Sequence, residues 1–449
     1  MPTSVKIIEE ARVTVPATAA LPPEPLLLSA MEAEWLAHPL MQCLLIFVSG
    51  GGDRSIIPPS SPSAVAALRA SLAGTVSRFP TLGGRIVHLP ATGDAAIDCG
   101  AHDGGGVRFV VADQSDGADA RRLAGDADHD SEAFRRLVPA LDAGRLPAET
   151  TAVMVTRLRG GVALGVAMHH AVVDGRSFWR FVQAGNATRR RRRRTTVRRS
   201  SSPAAKSSPG ACFGSTRPIC PLAGMNHGYQ INLARLSVQQ LQRLKQRIAE
   251  RSPRRAAAPS SFVAVVALAW VSFVRAKHPD VIAPSDEVTL FFFADCRTCV
   301  DPPPGDSYFG TCITGCLARA TARDLLAEDD DDSVAHAAAA VAEEVRRAAA
   351  EPLALWDFRG LEGRVDVNRH VNMTGSMRFP AYEVTDFGWG PSGRTELVSM
   401  NQDGQVVLLA GKGGDASVQV SVSLNPAHME AFKSYFMSYL ADLCSIHSK

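Results

Sequence analysis

HHAVVDGRSFW, His169 to Trp179, closes one element and opens the next. The preceding GVALGVAM (Gly161–Met168) is short, apolar and β-compatible, as a buried strand should be. The Asp174–Gly175 pair signals a tight turn. Phe178, Phe181 and Val182 then recur at helical spacing. The stretch therefore predicts strand, turn, helix, with His170 at the strand end and Asp174 four residues later. A histidine so placed can serve as a general base, because its ordinary pKa lies near neutrality. HxxxD alone does not decide this, since a packed core histidine fits the same four letters.

A second motif lies far downstream: DFGWGP, Asp386 to Pro391. Between the two are TLFFFADCR (Thr289–Arg297) and YFGTC (Tyr308–Cys312), and before both lies ALRASLAGTVSRFPTLGGRI (Ala67–Ile86). In this order and spacing the chain resembles the plant BAHD acyltransferases along nearly its whole length. The resemblance implies a mixed α/β fold of two similar chloramphenicol-acetyltransferase-like domains with a channel at their interface. It implies acyl transfer from acyl-CoA to a hydroxyl or amine of a secondary metabolite, with no bound cofactor. It implies His170 as the base, Asp174 paired with Arg297 to fix the turn, and Asp386 and Gly388 as structural. Trp389 is the candidate donor to the oxyanion. YFGTC points to the branch acting on phenolic and flavonoid glycosides. It differs at its fourth residue from the YFGNC often seen there, and the donor stays open between malonyl-CoA and hydroxycinnamoyl-CoA. Arg176, beside the motif, is a candidate cation for a malonyl carboxylate, against an ordinary surface role.

Composition is ordinary for a globular protein: 449 residues, 46% hydrophobic and 21% charged. Two domains are the natural expectation at this length. Nine cysteines are scattered and suggest neither a zinc site nor a disulfide framework. Met1–Pro16 mixes charges and lacks the apolar core of a leader. No apolar run is long enough to span a bilayer. The expectation is a cytoplasmic monomer handling two small molecules, without membrane or nucleic acid.

Elsewhere the chain alternates strand and helix patterns. MQCLLIFVSG reads as a strand, and Val65, Leu68, Leu72 and Val76 mark one helical face. TAVMVTRL and VALGVAMHH form a hairpin that delivers His169 and His170 to one edge. Asp126, Asp128 and Asp130 imitate the start of a calcium loop but lack its glycine and closing glutamate. Cys312 has no histidine placed beside it in its motif, so a thiol nucleophile is not read there. Ser260 and Ser261 open the apolar helix SFVAVVALAWVSFV. Two hydroxyls and free N–H groups there suit a phosphate of CoA, and equally a plain serine cap.

One tract is unlike the rest. Residues 188–221 hold eight arginines between Arg189 and Arg199, and removing these from the net charge of +3 leaves −5. At face value this is a disordered basic linker between an N-terminal domain (1–187) and a C-terminal domain (222–449) that carries DFGWG. A shifted reading frame is the favoured alternative. Read one frame over with suitable synonymous codons, the tract gives a Tyr-Asp-Arg-Ser segment and an amphipathic helix, which resemble segments of the family. Two rival functions follow from the tract: a catalytically impaired BAHD-like protein, or a basic nucleic-acid-associating protein on the same scaffold.

Overall fold

The computed structural model describes residues 5–16, 21–49, 61–100, 105–125, 129–141, 143–189, 229–251, 258–305, 307–356, 365–399 and 401–445. All but the first two residues of the 188–221 tract, and Asp126 and Asp128 of the acidic turn, lie outside them. The chain forms two compact units, Met1–Cys220 with Val300–Cys312 and Pro380–Ser399, and Pro221–Cys299 with Ile313–Phe379 and Met400–Lys449. This corrects the linear division expected from sequence, because DFGWG belongs to the first unit. The reason is a short edge strand, Arg394–Leu397, which pairs antiparallel with Met41–Val48 and brings its flanks along. Buried Arg394 and Glu396, in contact at 2.6 Å, anchor that edge.

The first unit is built on a six-stranded mixed sheet. Its spatial order is Lys6–Val13, Val107–Asp113, Thr151–Leu158, Gly161–Met168, Met41–Val48, Arg394–Leu397. Leu44, Ile46 and Ala163 pack on one face with Leu123, Phe134 and Leu137. Cys43, Leu45, Leu164 and Val166 lie on the other, beneath the helices Pro62–Val76 and Gly175–Arg189. Covered on both faces, Gly161–Met168 is buried at every position, which is why it reads as an unbroken apolar run. Gly165 has a specific reason to be glycine: a Cβ there would run into the carbonyl of Leu137. A smaller four-stranded sheet, which includes Arg85–Leu89 and Ala148–Glu149, completes the unit.

The second unit also carries a six-stranded mixed sheet, in the order Tyr229–Leu236, Val418–Leu424, Gln405–Ala410, His370–Ser376, Glu287–Asp295, Ile313–Thr321. The helix Ser261–Lys277 lies in its core, with Val263 to Val274 all buried. A helix apolar on every side is stable only when covered on every side. Here Val238–Arg251, Asp330–Ala350 and Pro426–Ser445 share its hydrophobic cluster. Each fully buried Val, Leu or Phe adds roughly 1.5–3 kcal/mol. Lys277 at its end is buried too, and its Nζ meets Asp403 at 3.0 Å.

Candidate active site

The hairpin Thr151–Leu158/Gly161–Met168 ends where Met168 faces Thr151. One step further the His169 N–H donates to the Thr150 carbonyl at 2.8 Å. The chain then leaves the sheet, and the Val172 N–H returns to the His169 carbonyl at 2.9 Å. Asp174 sits just ahead of the helix Gly175–Arg189 and accepts from the Ser177 N–H at 2.9 Å. That bond satisfies one of the orphan donors of the first turn. Asp174 is therefore the helix cap, which explains why a carboxylate stands four residues after the histidine.

The two histidines differ. His169 is 1% exposed, and its Nδ1 accepts from the Ala171 N–H at 3.2 Å. His170 is only partly buried, and of its ring nitrogens Nδ1 is the one sealed in without a hydrogen bond. The face of its ring stacks on Trp35, with centroids 3.7 Å apart and planes at 14°. Burial pushes His169 down to about 4 and His170 to about 3. For His170 the nearby Asp174 carboxylate opposes this, and His38 and His169 add to it. Both imidazoles are therefore neutral at pH 7 and free of a proton on one nitrogen, as a general base requires.

The segment Val300–Cys312 holds this turn from the side. Thr311 Oγ1 donates to the His170 carbonyl at 2.5 Å, and the Cys312 N–H to the second oxygen of Asp174 at 3.1 Å. Ser177 Oγ donates to the Gly310 carbonyl at 2.8 Å, and Arg180 to the Tyr308 carbonyl at 2.7 Å. Tyr308 Oη donates to buried Glu32 at 2.9 Å, and Phe309 packs on Phe79 at 4.3 Å. YFGTC is thus a brace for the histidine turn. Cys312 is 3% exposed and engaged through its backbone.

Glu32 also forms a capping box with Ser29 at the start of the short helix Ala30–Ala33. That helix leads directly into the turn bearing Trp35. Sequence reasoning missed Glu32, Trp35, Thr311 and the docking of Tyr308. The Ser29–Glu32 spacing was a readable signal; nothing in the pattern singled out Trp35.

Trp389 is not at this site. Its indole packs edge-on against Phe47, with centroids 5.3 Å apart. Phe47 pairs with Val162, whereas Met41, at the other end of that strand, pairs with Met168 beside the histidines. Six residues of extended strand separate Phe47 from Met41, roughly 20 Å. An N–H that far away cannot reach an oxyanion next to His170, and the assignment of Trp389 as donor is withdrawn. Asp386 closes its own loop, accepting from the N–H groups of Gly388 (2.8 Å) and Gly390 (2.9 Å). Gly388 at φ 87° and Gly390 at φ 83° hold left-handed backbone that other residues adopt with strain.

Arg297 belongs to the second unit, where its guanidinium meets Asp295 at 3.1 Å. Ser260, in the same unit, caps the helix Ser261–Lys277, its Oγ accepting from the Val263 N–H at 3.2 Å. Arg176 is exposed. Asp130 caps the helix Ser131–Arg136 and pairs with Arg122 at 2.9 Å, the role of a solvated turn. Among the described residues no group of three or more His, Cys, Asp and Glu could hold a metal ion. Among them, too, no helix is long and apolar enough to cross a membrane.

Comparison with known proteins places these features in context. A family model described as "Transferase family" matches residues 14–438. Malonyl-CoA:anthocyanidin 5-O-glucoside-6''-O-malonyltransferase of Arabidopsis thaliana is 25% identical, over 96% of this chain and 98% of its own. Agmatine coumaroyltransferase of the same plant is 24% identical, over 98% of this chain and 100% of its own. Among solved structures, vinorine synthase superposes with a TM-score of 0.70 at 16% identity, covering 97% of this chain and 98% of its own.

Proposed function

This chain belongs to the BAHD family of acyl-CoA-dependent acyltransferases, and we propose that His170 is the general base of its transfer reaction. The observation that carries this is a neutral imidazole at the end of a buried strand, braced on both sides and with one ring nitrogen not sealed in. An alcohol is a poor nucleophile at neutral pH, whereas a thioester is already activated. His170 takes the hydroxyl proton as the oxygen attacks the thioester carbonyl. The tetrahedral intermediate collapses with loss of the CoA thiolate, which receives the proton from the imidazolium.

The donor is malonyl-CoA or hydroxycinnamoyl-CoA, and the acceptor a hydroxyl of a phenolic or flavonoid glycoside. Relatives named for malonyl and coumaroyl transfer support this range. The capped start of the helix Ser261–Lys277, with Ser260 and Ser261, is proposed to meet the CoA phosphates, since a helix N-terminus attracts anions. The Asp174–Arg297 pairing and a structural role for Asp386 and Gly388 belong to the same reading. The reading carries with it a monomer in the cytoplasm that handles two small molecules and no nucleic acid. A panel of acyl-CoAs offered with phenolic glucosides, followed as free thiol released, tests it. Acceptor-dependent release with malonyl- or coumaroyl-CoA is expected. Release that ignores the acceptor would mean simple thioester hydrolysis and defeat the proposal.

A further inference from the structure

The nine cysteines read as scattered include one C-x-x-C spacing, Cys296-Arg297-Thr298-Cys299. It follows the strand Glu287–Asp295 directly. The Cys299 N–H donates to the Cys296 carbonyl at 2.9 Å, so the four residues form a closed β-turn. Such a turn holds its first and last Cα atoms within about 7 Å, and disulfides bridge Cα atoms about 4.4–6.8 Å apart. The backbone therefore already lies close to the span a disulfide needs. The two thiols differ in access: Cys296 is 1% exposed, whereas Cys299 is only partly buried. Cys43, Cys99, Cys312 and Cys316 are buried.

We propose that Cys296 and Cys299 are a redox-active dithiol that closes to a disulfide by exchange with a low-molecular-weight disulfide such as oxidised glutathione. The more accessible Cys299 thiolate attacks one sulfur of that molecule, forming a mixed disulfide and releasing one glutathione thiol. Cys296 then attacks Cys299 Sγ and releases the second. Two thiols of the protein are oxidised, the small disulfide is reduced to two thiols, and the protons stay with the released thiols.

The consequence for catalysis rests on the reading given under Proposed function. Val300 starts the segment whose Thr311 and Cys312 bond to the His170 carbonyl and to Asp174. Closing the disulfide draws the Cys296 sulfur from its buried position, four residues before that segment in the chain. The brace on the histidine turn shifts, and acyl transfer slows.

Trypsin gives the test a built-in marker, because Arg297 lies between the two cysteines. The full chain is treated with oxidised glutathione, alkylated and digested. Disulfide formation is expected to keep the two cleaved halves together until dithiothreitol separates them, while acyl transfer falls severalfold and recovers on reduction. Cys299→Ser is expected to retain activity and to lose both the linked peptide and the sensitivity to oxidised glutathione. A stable glutathione adduct on Cys299 with no linked peptide would overturn the dithiol. Inactivation that persists unchanged in Cys299→Ser would overturn its link to the reaction. The peptide readout needs no activity, so an inert protein with a linked peptide counts against the acyltransferase reading and not against the dithiol.

Discussion

At the scale of single residues, the pair His169–His170 shows how neighbouring identical side chains take different work. The first is enclosed and spends a ring nitrogen on the Ala171 N–H. The second keeps surface and lies flat on Trp35. Burial drives both below the ordinary value of 6.5. Activity needs the neutral form of His170, so the acid limb of kcat/KM is expected well under pH 6.5, with a plateau through neutrality. An acid limb at the ordinary histidine value would show that burial does not govern this group. The stack with Trp35 fixes the ring plane. Trp35→Ala frees it, and small misplacement at a reacting centre costs up to roughly 10²-fold. The loss is expected mainly in kcat, and an unchanged kcat would refute a positioning role.

At the scale of elements, the turn between strand and helix depends on one carboxylate with two backbone donors. Asp174→Ala removes a helix cap and leaves the buried Cys312 N–H unmet, at a combined cost of roughly 2–4 kcal/mol. Asp174→Asn, which keeps an acceptor, is expected to lose less in urea unfolding. Equal stability of Asp174→Ala and the unaltered protein would contradict the geometry. Trp389→Phe keeps the contact with Phe47 and is expected to leave kcat nearly unchanged, as befits a side chain far from the histidine turn. Much of this element structure was readable. Gly161–Met168 declared itself by an apolar run because the sheet is covered on both faces. The brace did not: Thr311 reaches back 141 residues to the His170 carbonyl, a group every residue possesses, and Tyr308 reaches back 276 residues to the Glu32 carboxylate. Nor did the placement of DFGWG, which hangs on a four-residue edge strand too short to carry a pattern.

At the scale of the whole molecule, both units bury histidines in neutral form. His370, in the second unit, donates or accepts with Thr289 at 2.9 Å and is pushed down to about 4 by burial. A depressed histidine pKa means that the unfolded chain takes up the proton first. Its contribution to stability is present above the unfolded value of 6.5 and is lost as pH falls toward the folded values of about 4 and 3. The urea midpoint is therefore expected to drop between about pH 7 and about pH 5. A midpoint that rises over that range would contradict the burial of these groups. The two-domain α/β architecture was legible because HxxxD, YFGTC and DFGWG occur in a fixed order. The division of the chain into units was not, since Val300–Cys312 and Pro380–Ser399 join the first unit from within the second half.

The central claim is that His170, and not its neighbour, moves the proton. The direct measurement is thiol release from acyl-CoA in the presence of acceptor, compared between His170→Ala and His169→Ala at matched folded concentration. The account predicts a fall of roughly 10²- to 10⁴-fold for His170→Ala, the usual worth of a general base, with a far smaller change for His169→Ala. Equal losses in the two variants, or near-normal turnover in His170→Ala, would contradict it.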